Sequence, residues 1–296
     1  MATFRLLHNR YTDGFIQRLR IEKMQKACDR LRRRMLVRIG ADFHHVRMIA
    51  LETITACNLR CSYCPNSIYE RGLPKNKQYM DKNLFAKIMD ELAKLRWCGE
   101  IQPHSYGEPL LDERLAELIS YARKKISGLR VHLFTKGELL NVAIYLELVR
   151  AGVTAFTVTQ HLPKQSQGVL DVLEYRRQNG ASNVAFSYTK KKHVFNRCGL
   201  VKVANEAPCK TCTWPCHNIV IDYEGNVLVC CHDYLEEVIV GNARSQSLID
   251  IWNSTGYQDI RRDIRQGKFN LSICKKCRKG TVLGSKPASE DAPLHT

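Results

Sequence analysis

The sequence lacks any long hydrophobic run, and this absence excludes a membrane-spanning helix. None of its apolar stretches approaches the ~18 residues that such a helix requires. The N-terminus is basic, but no apolar segment typical of a secretory signal follows it. We therefore expect a cytoplasmic protein, in a reducing compartment that argues against disulfides. The 13 cysteines of this 296-residue chain are then expected to bind metal.

Acidic side chains are also scarce, which disfavours a polycationic partner. The chain has 29 Asp and Glu residues against 46 Lys and Arg residues, a net charge of +17. Such a balance favours an anionic substrate or partner. Apolar and basic residues mix at helical spacing near the N-terminus, so we expect a basic helical extension over residues 1–45 that packs by its apolar face. Contact of this extension with a nucleic acid or a membrane surface is the less favoured alternative.

Three cysteines are concentrated in one short loop. Cys57, Cys61 and Cys64 have the spacing C-x3-C-x2-C and are followed by a proline. Three thiolates at this spacing can bind three irons of a [4Fe–4S] cluster and leave the fourth iron open to a substrate or cofactor. A structural zinc ion would normally take four protein ligands. The loop therefore favours a cluster with one open iron.

Strand-like and helix-like segments alternate between residues 46 and 190. A strand at 46–53 leads into the cysteine loop, and helical periods follow at 83–97 and 111–126. The alternation predicts an α/β fold with a parallel sheet in an open or partial barrel, whose chemistry lies at the carboxyl ends of the strands. Beyond residue 200, a hairpin signal at Glu224-Gly-Asn226 and short helices predict a smaller domain. We assign 46–200 to the barrel and 201–282 to the second domain, and expect a flexible tail at 283–296.

The cysteine loop, the later Tyr106-Gly-Glu-Pro109 and the alternating elements together resemble the radical S-adenosylmethionine (SAM) superfamily. The resemblance implies a partial (β/α)6 TIM-like barrel in which Cys57, Cys61 and Cys64 bind a [4Fe–4S] cluster and SAM chelates its open iron. A 5′-deoxyadenosyl radical then abstracts a hydrogen atom from the substrate. The residues that the resemblance assigns to SAM are Tyr63 beside the adenine, Gly107, Glu108 and Pro109 at the amino group, and Thr135 and Gln160 at the ribose and carboxylate.

A second group of cysteines resembles the SPASM/twitch auxiliary-cluster motif. Cys212 precedes Gly225 by the spacing of that motif, Cys230 follows it, and Cys274-x2-Cys277 supplies the end. The resemblance implies that these four cysteines bind a second [4Fe–4S] cluster in a small C-terminal auxiliary domain of the shorter, twitch form. Cys209 and Cys216 remain alternatives to Cys212, and a zinc ribbon remains the alternative to the cluster.

Further motifs, including Asn196-Arg-Cys-Gly199, resemble the twitch-containing dehydrogenases and epimerases of aminoglycoside antibiotic biosynthesis. The resemblance implies that Arg197 binds a substrate hydroxyl. It also puts two additional thiols, Cys198 and Cys231, near the substrate. A thiol hydrogen is weakly bound, so Cys231 is our candidate hydrogen-atom donor.

We expect hydrogen abstraction from a sugar-like or aminocyclitol substrate, with an electron supplied by a flavodoxin- or ferredoxin-type protein. Epimerisation of a carbon is narrowly preferred over dehydrogenation of a secondary alcohol with electron transfer to the auxiliary cluster. The net charge of +17 favours a phosphorylated or nucleotide-linked sugar over a polycationic aminoglycoside. Radical modification of a peptide and a non-enzymatic zinc-binding nucleic-acid module are the remaining alternatives.

Overall fold

The computed structural model describes residues 42–180, 184–190 and 193–281. The predictions for the basic extension, up to residue 41, and for the tail at 283–296 fall outside these ranges. No helix within the described ranges is long and apolar enough to span a membrane. Within these ranges, the residues from His45 onward form one compact unit.

The central sheet begins with five parallel strands in chain order, each hydrogen-bonded to the next. These strands are β1 (Met48–Leu51), β2 (Glu100–Gln102), β3 (Arg130–Thr135), β4 (Ala155–Gln160) and β5 (Ala185–Lys190). The crossover helices between them are α1 (Lys82–Lys94), α2 (Leu115–Lys125), α3 (Val142–Ala151) and α4 (Gln167–Gln178). This arrangement confirms the predicted α/β class with a mostly parallel sheet.

The strands carry alternating side chains because successive residues point to opposite faces of a sheet. In β3, Val131 and Leu133 are fully buried, whereas Phe134 on the other face lines a cavity. The helices begin and end at residues suited to those positions. Asp81 caps α1 by accepting hydrogen bonds from the backbone of its first turn, and α3 ends at Gly152, whose φ of 114° favours glycine.

A sixth parallel strand comes from the C-terminal part of the chain. β8 (Asn218–Ile221) pairs with the free side of β1, and β9 (Asn226–Leu228) and β10 (Ile239–Asn242) extend the sheet in antiparallel fashion. The turn between β8 and β9 contains Gly225, with a φ of 94°, as the hairpin signal predicts. The segment that we assigned to the auxiliary domain therefore shares one sheet with the barrel strands.

A second, three-stranded antiparallel sheet joins β6 (His193–Phe195) and β7 (Ala204–Pro208) to β11 (Arg278–Thr281), which lies between them. The remaining helices are α5 (Leu248–Asn253), α6 (Thr255–Arg265) and α7 (Ser272–Lys276). Asn196, just after β6, donates from its side chain to the Lys276 carbonyl at 2.9 Å and accepts from the Arg278 amide at 2.9 Å. These bonds join the turn at Arg197 to the segment that carries Cys274 and Cys277.

Replacing Gly107 by alanine is expected to distort the contact between the loop after β2 and the chain leaving β1. A Cβ atom at Gly107 would lie 2.0 Å from the backbone oxygen of Ile54, which cannot rotate away. We expect Gly107→Ala to lower the free energy of unfolding by about 1–3 kcal/mol, measured by chemical denaturation. Gly256→Ala in α6, where no atom lies within 4 Å, is the control and should be neutral or slightly stabilising. Equal stability of the two variants would contradict the prediction.

Candidate active site and iron–sulfur ligands

The cysteine loop opens into a cavity of about 270 Å³ at the carboxyl ends of the parallel strands. Cys57, Cys61 and Cys64 all line it. The loop is folded by its own backbone, since the amide of Cys64 donates to the Cys61 carbonyl at 2.9 Å. The amide of Leu59 donates to the Cys57 sulfur at 3.3 Å. The three predicted ligands are therefore brought to one cavity, with a backbone donor already directed at one sulfur.

The predicted SAM residues divide into those in the cavity wall and those behind it. Tyr63, Gly107 and Thr135 line the cavity. Glu108 is buried directly behind the wall and accepts a hydrogen bond from the Thr135 hydroxyl at 2.7 Å. Neither Pro109 nor Gln160 lines the cavity. The amide group of Gln160 instead donates to the carbonyl oxygens of residues 162 and 163.

Lys136 is a cavity residue that the sequence did not single out. Its Nζ lies 3.3 Å from Glu108 Oε2, and its side chain is mostly buried beside Cys57. Burial alone would lower the pKa of Lys136, but attraction to the Glu108 carboxylate and to Cys57 raises it above its ordinary value. The side chain therefore remains a cation. Its place directly after β3 was the available signal, because cavity residues follow the strands of such folds.

Two histidines also line the cavity. His161 Nδ1 is hydrogen-bonded to the Tyr63 hydroxyl and lies 3.5 Å from the Cys61 sulfur. His104 packs against Phe134 with ring centroids 5.0 Å apart. Burial, assisted by the charge of Lys136, lowers the pKa of His104 to about 3, so its imidazole is neutral at physiological pH.

Arg197 reaches the same cavity from a strained turn. Arg197 and Cys198 have φ angles of 49° and 57°, which are unusual for residues other than glycine. The guanidinium lies over the Tyr106 ring, 5.5 Å from its centroid. Cys231 lines the cavity as well, whereas Cys198 does not. Of the three predicted catalytic residues, Arg197 and Cys231 therefore line the same cavity as the cysteine loop.

A second cavity, of about 540 Å³, gathers the later cysteines. Its cysteine lining comprises Cys198, Cys209, Cys212, Cys230, Cys231, Cys274 and Cys277. Thus Cys231 is shared by both cavities. Cys216 is absent from the lining, and its thiol instead donates to the Arg261 carbonyl. Cys209 remains an alternative ligand, since its sulfur lies 3.7 Å from that of Cys277.

The second cavity fits a cluster chemically. The amide of His232 donates to the Cys230 sulfur at 3.4 Å, as Leu59 does to Cys57 in the first loop. Burial, followed by repulsion from neighbouring thiolates, raises the pKa of Cys274 to about 11. A thiol with so high a pKa keeps its proton in the absence of metal, and binding of a metal cluster, which takes thiolates as ligands, would release that proton.

Sequence comparisons agree with this arrangement. The sequence profile of the Radical SAM superfamily matches residues 51–185, and that of the SPASM iron-sulfur cluster-binding domain matches residues 209–278. The S-adenosyl-L-methionine-dependent 2-deoxy-scyllo-inosamine dehydrogenase of Niallia circulans is 31% identical over 242 residues, which cover 79% of this chain and 94% of that protein. The chain belongs to the radical SAM superfamily.

Structural comparisons extend the likeness of this radical SAM enzyme to its whole described fold. The crystal structure of BtrN in complex with AdoMet and 2-DOIA superposes with a TM-score of 0.69 at 28% identity, over 78% of this chain and 92% of that chain. Native anSMEcpe with bound AdoMet has a TM-score of 0.50 at 13% identity, over 78% of this chain and 86% of that chain, and shares the fold alone. SAM and two [4Fe–4S] clusters are the cofactors of the enzyme.

Behind the cavity, the radical SAM enzyme buries an excess of carboxylates around one arginine. Arg71, in the segment between the cysteine loop and α1, lies 2.7 Å from Glu52, directly after β1, and 2.8 Å from Glu236. Burial raises the pKa of Glu52 to about 7; Arg71 opposes this shift, and Asp222 adds to it. Burial likewise raises the pKa of Glu236 to about 7. The Arg71 guanidinium thus binds its own segment to β1 and to the β9–β10 connection. Its two acidic partners are partly protonated near neutral pH.

The auxiliary ligand assignment predicts different iron contents for two neighbouring cysteine variants. Cys212→Ala should reduce iron and sulfide from about eight to about four of each per chain, because the auxiliary cluster loses a ligand. Cys216→Ala, outside the cavity, should keep about eight of each. Anaerobic iron and sulfide determination measures both. A Cys212→Ala protein that keeps about eight irons would contradict the assignment and indicate that Cys209 is the ligand.

The raised pKa of Glu52 predicts how stability depends on pH. Between the ordinary value of 4.5 and about 7, the folded protein holds a proton on Glu52 that the unfolded chain releases. The free energy of unfolding should therefore fall as pH rises through this window. In Glu52→Gln the fall should be smaller, because that proton is no longer released, as measured by denaturation at pH 5.5 and 7.5. An unchanged fall would show that Glu52 does not titrate there.

Proposed function

We propose that this enzyme oxidises a secondary alcohol of a sugar-like or cyclitol substrate to a ketone. The observation that carries the proposal is that Arg197 and the cysteine loop line one cavity. When bound there, SAM and the first cluster would supply a radical that removes a hydrogen atom from the substrate. The carbon radical would then lose its hydroxyl proton to solvent and one electron to the auxiliary cluster, which leaves a ketone. The dehydrogenase activity named for the 31% identical relative supports oxidation over the other outcomes.

The residues of the cavity suit a hydroxylated substrate. Gln102, Ser105 and Thr159 are neutral and offer donors and acceptors to hydroxyl groups. Arg197 donates to the oxygen of the reacting alcohol and remains charged, since free guanidinium does not deprotonate in proteins. Its charge stabilises the alkoxide form of that alcohol. The neutral His104 has a buried Nδ1 with no hydrogen-bond partner among the described residues. With its pKa lowered to about 3, it can accept a hydrogen bond from the substrate hydroxyl but is too weak a base to hold the hydroxyl proton.

Epimerisation is the second candidate, and the position of Cys231 favours it. Its thiol lines both cavities, so it lies between the substrate and the auxiliary cysteines. In this reaction the substrate radical takes a hydrogen atom from Cys231 Sγ on the opposite face of the carbon. A C–H bond forms and the S–H bond breaks. An electron from the flavodoxin- or ferredoxin-type donor and a proton from solvent would then restore the thiol. The sequence analysis narrowly preferred epimerisation. The dehydrogenase activity named for the relative now makes oxidation the preferred proposal.

The partners follow from the same chemistry. We propose a cytoplasmic enzyme that receives electrons from a flavodoxin- or ferredoxin-type protein. Ligands Cys212, Cys230, Cys274 and Cys277 for the auxiliary cluster are part of the proposal. No observation favours a peptide substrate. The alternative of a non-enzymatic zinc and nucleic-acid module is set aside, because the chain is a radical SAM enzyme.

Loss of one cysteine of the first loop should abolish SAM cleavage. Cys57→Ala removes a ligand of the first cluster, so 5′-deoxyadenosine should no longer form after reduction. Cys98→Ala is the matched control, because Cys98 lines neither cavity and its variant should cleave SAM at the wild-type rate. Liquid chromatography of anaerobic reactions measures the product. Retained cleavage in Cys57→Ala would refute the assignment of the loop.

Reactions in deuterated water should separate the two outcomes. Oxidation yields a ketone two mass units below the substrate, and Cys231→Ser should still form it. Epimerisation yields an isomer with one deuterium at the reacting carbon, and Cys231→Ser should stall after one turnover, because a serine O–H bond is too strong to donate its hydrogen atom. Mass spectrometry over a panel of sugars, sugar phosphates and aminocyclitols distinguishes them. Full formation of a deuterated epimer by Cys231→Ser would remove Cys231 as the donor.

A further inference from the structure

The cavity contains a buried cation without an anionic partner. The side chain of Arg197 makes no hydrogen bond or ion pair with any described residue, and its Nε is fully buried and unpartnered. The groups that raise its pKa against the effect of burial are Tyr106 and three cysteines, with no carboxylate among them. An ionised guanidinium that is removed from water without a partner is costly, so such groups are normally paired with an anion.

Apart from its cysteines, the rest of the lining supplies no negative side chain either. No aspartate or glutamate lines the cavity in the described part of the chain. Lys136 is the other cation of the wall, and Glu108 behind it already lies within 3.3 Å of its Nζ. Arg197 is therefore the cation that is left available to a ligand.

An ammonium group would be poorly placed in this cavity. It would face the charges of Arg197 and Lys136, without a carboxylate in the wall to accept its hydrogen bonds. An oxyanion, in contrast, matches the planar donor edge of a guanidinium and can take two parallel hydrogen bonds from it. The chain's net charge of +17 acts in the same direction during association.

We infer that the substrate is an anionic polyol, whose phosphate or carboxylate group pairs with Arg197, and not an amine-bearing cyclitol. This inference rests on the proposed function, since it names the substrate class of the same cavity. It also distinguishes the chain from the relative named for 2-deoxy-scyllo-inosamine, whose name specifies an amine. The guanidinium has five donors, so one edge can hold the oxyanion while the remaining N–H groups hold a hydroxyl.

Another use of the same charge is to balance the thiolates of the two clusters. Cys64 and Cys230 are both among the groups that act on Arg197. If Arg197 served that purpose alone, the cavity would bind no added oxyanion. The two uses therefore predict opposite results in a binding measurement.

Nuclear relaxation of small oxyanions tests the inference without knowledge of the substrate. The full-length protein carries both clusters, holds S-adenosylhomocysteine in place of SAM, and is photoreduced with deazaflavin. A reduced, paramagnetic cluster shortens the relaxation time of a nucleus bound beside it. The probes are inorganic phosphate, observed by ³¹P, and [1-¹³C]acetate. We expect at least one to show saturable relaxation enhancement, and the comparison identifies whether phosphate or carboxylate is preferred.

Variants locate the bound oxyanion. Arg197→Gln should weaken its binding by about tenfold or more, and Arg197→Lys, which keeps the charge but not the planar fork, should weaken it less. Arg177→Gln is the control, because Arg177 is exposed on α4 and pairs with Glu174 at 2.6 Å; it should match wild type. Iron content and circular dichroism confirm that each variant is folded and loaded. The inference is overturned if wild type relaxes neither probe, or if Arg197→Gln relaxes them as wild type does.

The same preparations separate this inference from the proposed function. SAM replaces S-adenosylhomocysteine, and 5′-deoxyadenosine formation is measured. Intact SAM cleavage without oxyanion binding overturns the substrate class and leaves the radical chemistry standing. Oxyanion binding at Arg197 without SAM cleavage upholds the anion site and overturns the proposed reaction.

Discussion

The side-chain amide of one buried residue, Asn196, holds the turn that carries Arg197 beside the segment that carries the last auxiliary cysteines. It donates to the Lys276 carbonyl and accepts from the Arg278 amide, while its own backbone amide donates to the Arg278 carbonyl at 2.9 Å. These bonds hold the left-handed turn at Arg197 and Cys198 against the segment that carries the last two cysteines. A strained turn persists only where its surroundings determine it, and Asn196 provides that constraint. Without it, Arg197 would have no fixed direction into the cavity.

The buried charged side chains around the cavity fall into two groups. Some have partners within the protein and support the fold, and one is left available to a ligand. Behind the wall, Glu108 contacts Lys136 and Thr135. One carboxylate oxygen of Glu52 pairs with Arg71, and the other is buried without a hydrogen-bond partner among the described residues. Both carboxylates therefore have internal partners and hold loops in place. Arg197 has none among the described residues. A charge that the fold orders but does not neutralise is where a charged substrate gains the most on binding.

Local sequence patterns predicted the parts of the fold that depend on neighbouring residues. The spacing of Cys57, Cys61 and Cys64 specifies one loop, and hydrophobic periods located most helices and strands to within a few residues. The helix expected over 111–126 begins only at Leu115, because Pro109–Leu111 forms a separate 3₁₀ turn capped by Glu108. The rigid ring of Pro109 fixes that turn and separates it from the helix.

Long-range contacts could not be predicted in this way. The pairing of β8 with β1 joins residues about 170 positions apart, and hydrophobic periodicity carries no information about it. Sequence spacing also could not exclude Cys216 from the second cavity, because Cys216 lies as near along the chain to the other cysteines as Cys212 does. Only the fold turns its thiol away from the cavity. Lys136 was missed although its place directly after β3 was an available signal, because its contact with Glu108 forms only in the fold. Spacing identifies candidate ligands, and the three-dimensional arrangement decides which of them converge.

The charge of the substrate bears directly on which reaction follows hydrogen abstraction. A carbon radical that bears a hydroxyl loses its electron more readily once the hydroxyl is deprotonated, and a cation at that oxygen favours the deprotonated form. A substrate without an oxyanion leaves the full charge of Arg197 directed at the alcohol, which favours the ketone. An oxyanion paired with one edge of Arg197 would neutralise part of that charge, so oxidation of an anionic substrate would depend on the remaining N–H groups at the hydroxyl. Hydrogen return from Cys231, which lines the same cavity, then competes more effectively. Under the proposed function, the balance between oxidation and epimerisation would therefore be set jointly by Arg197, the Cys231 thiol and the charge of the substrate.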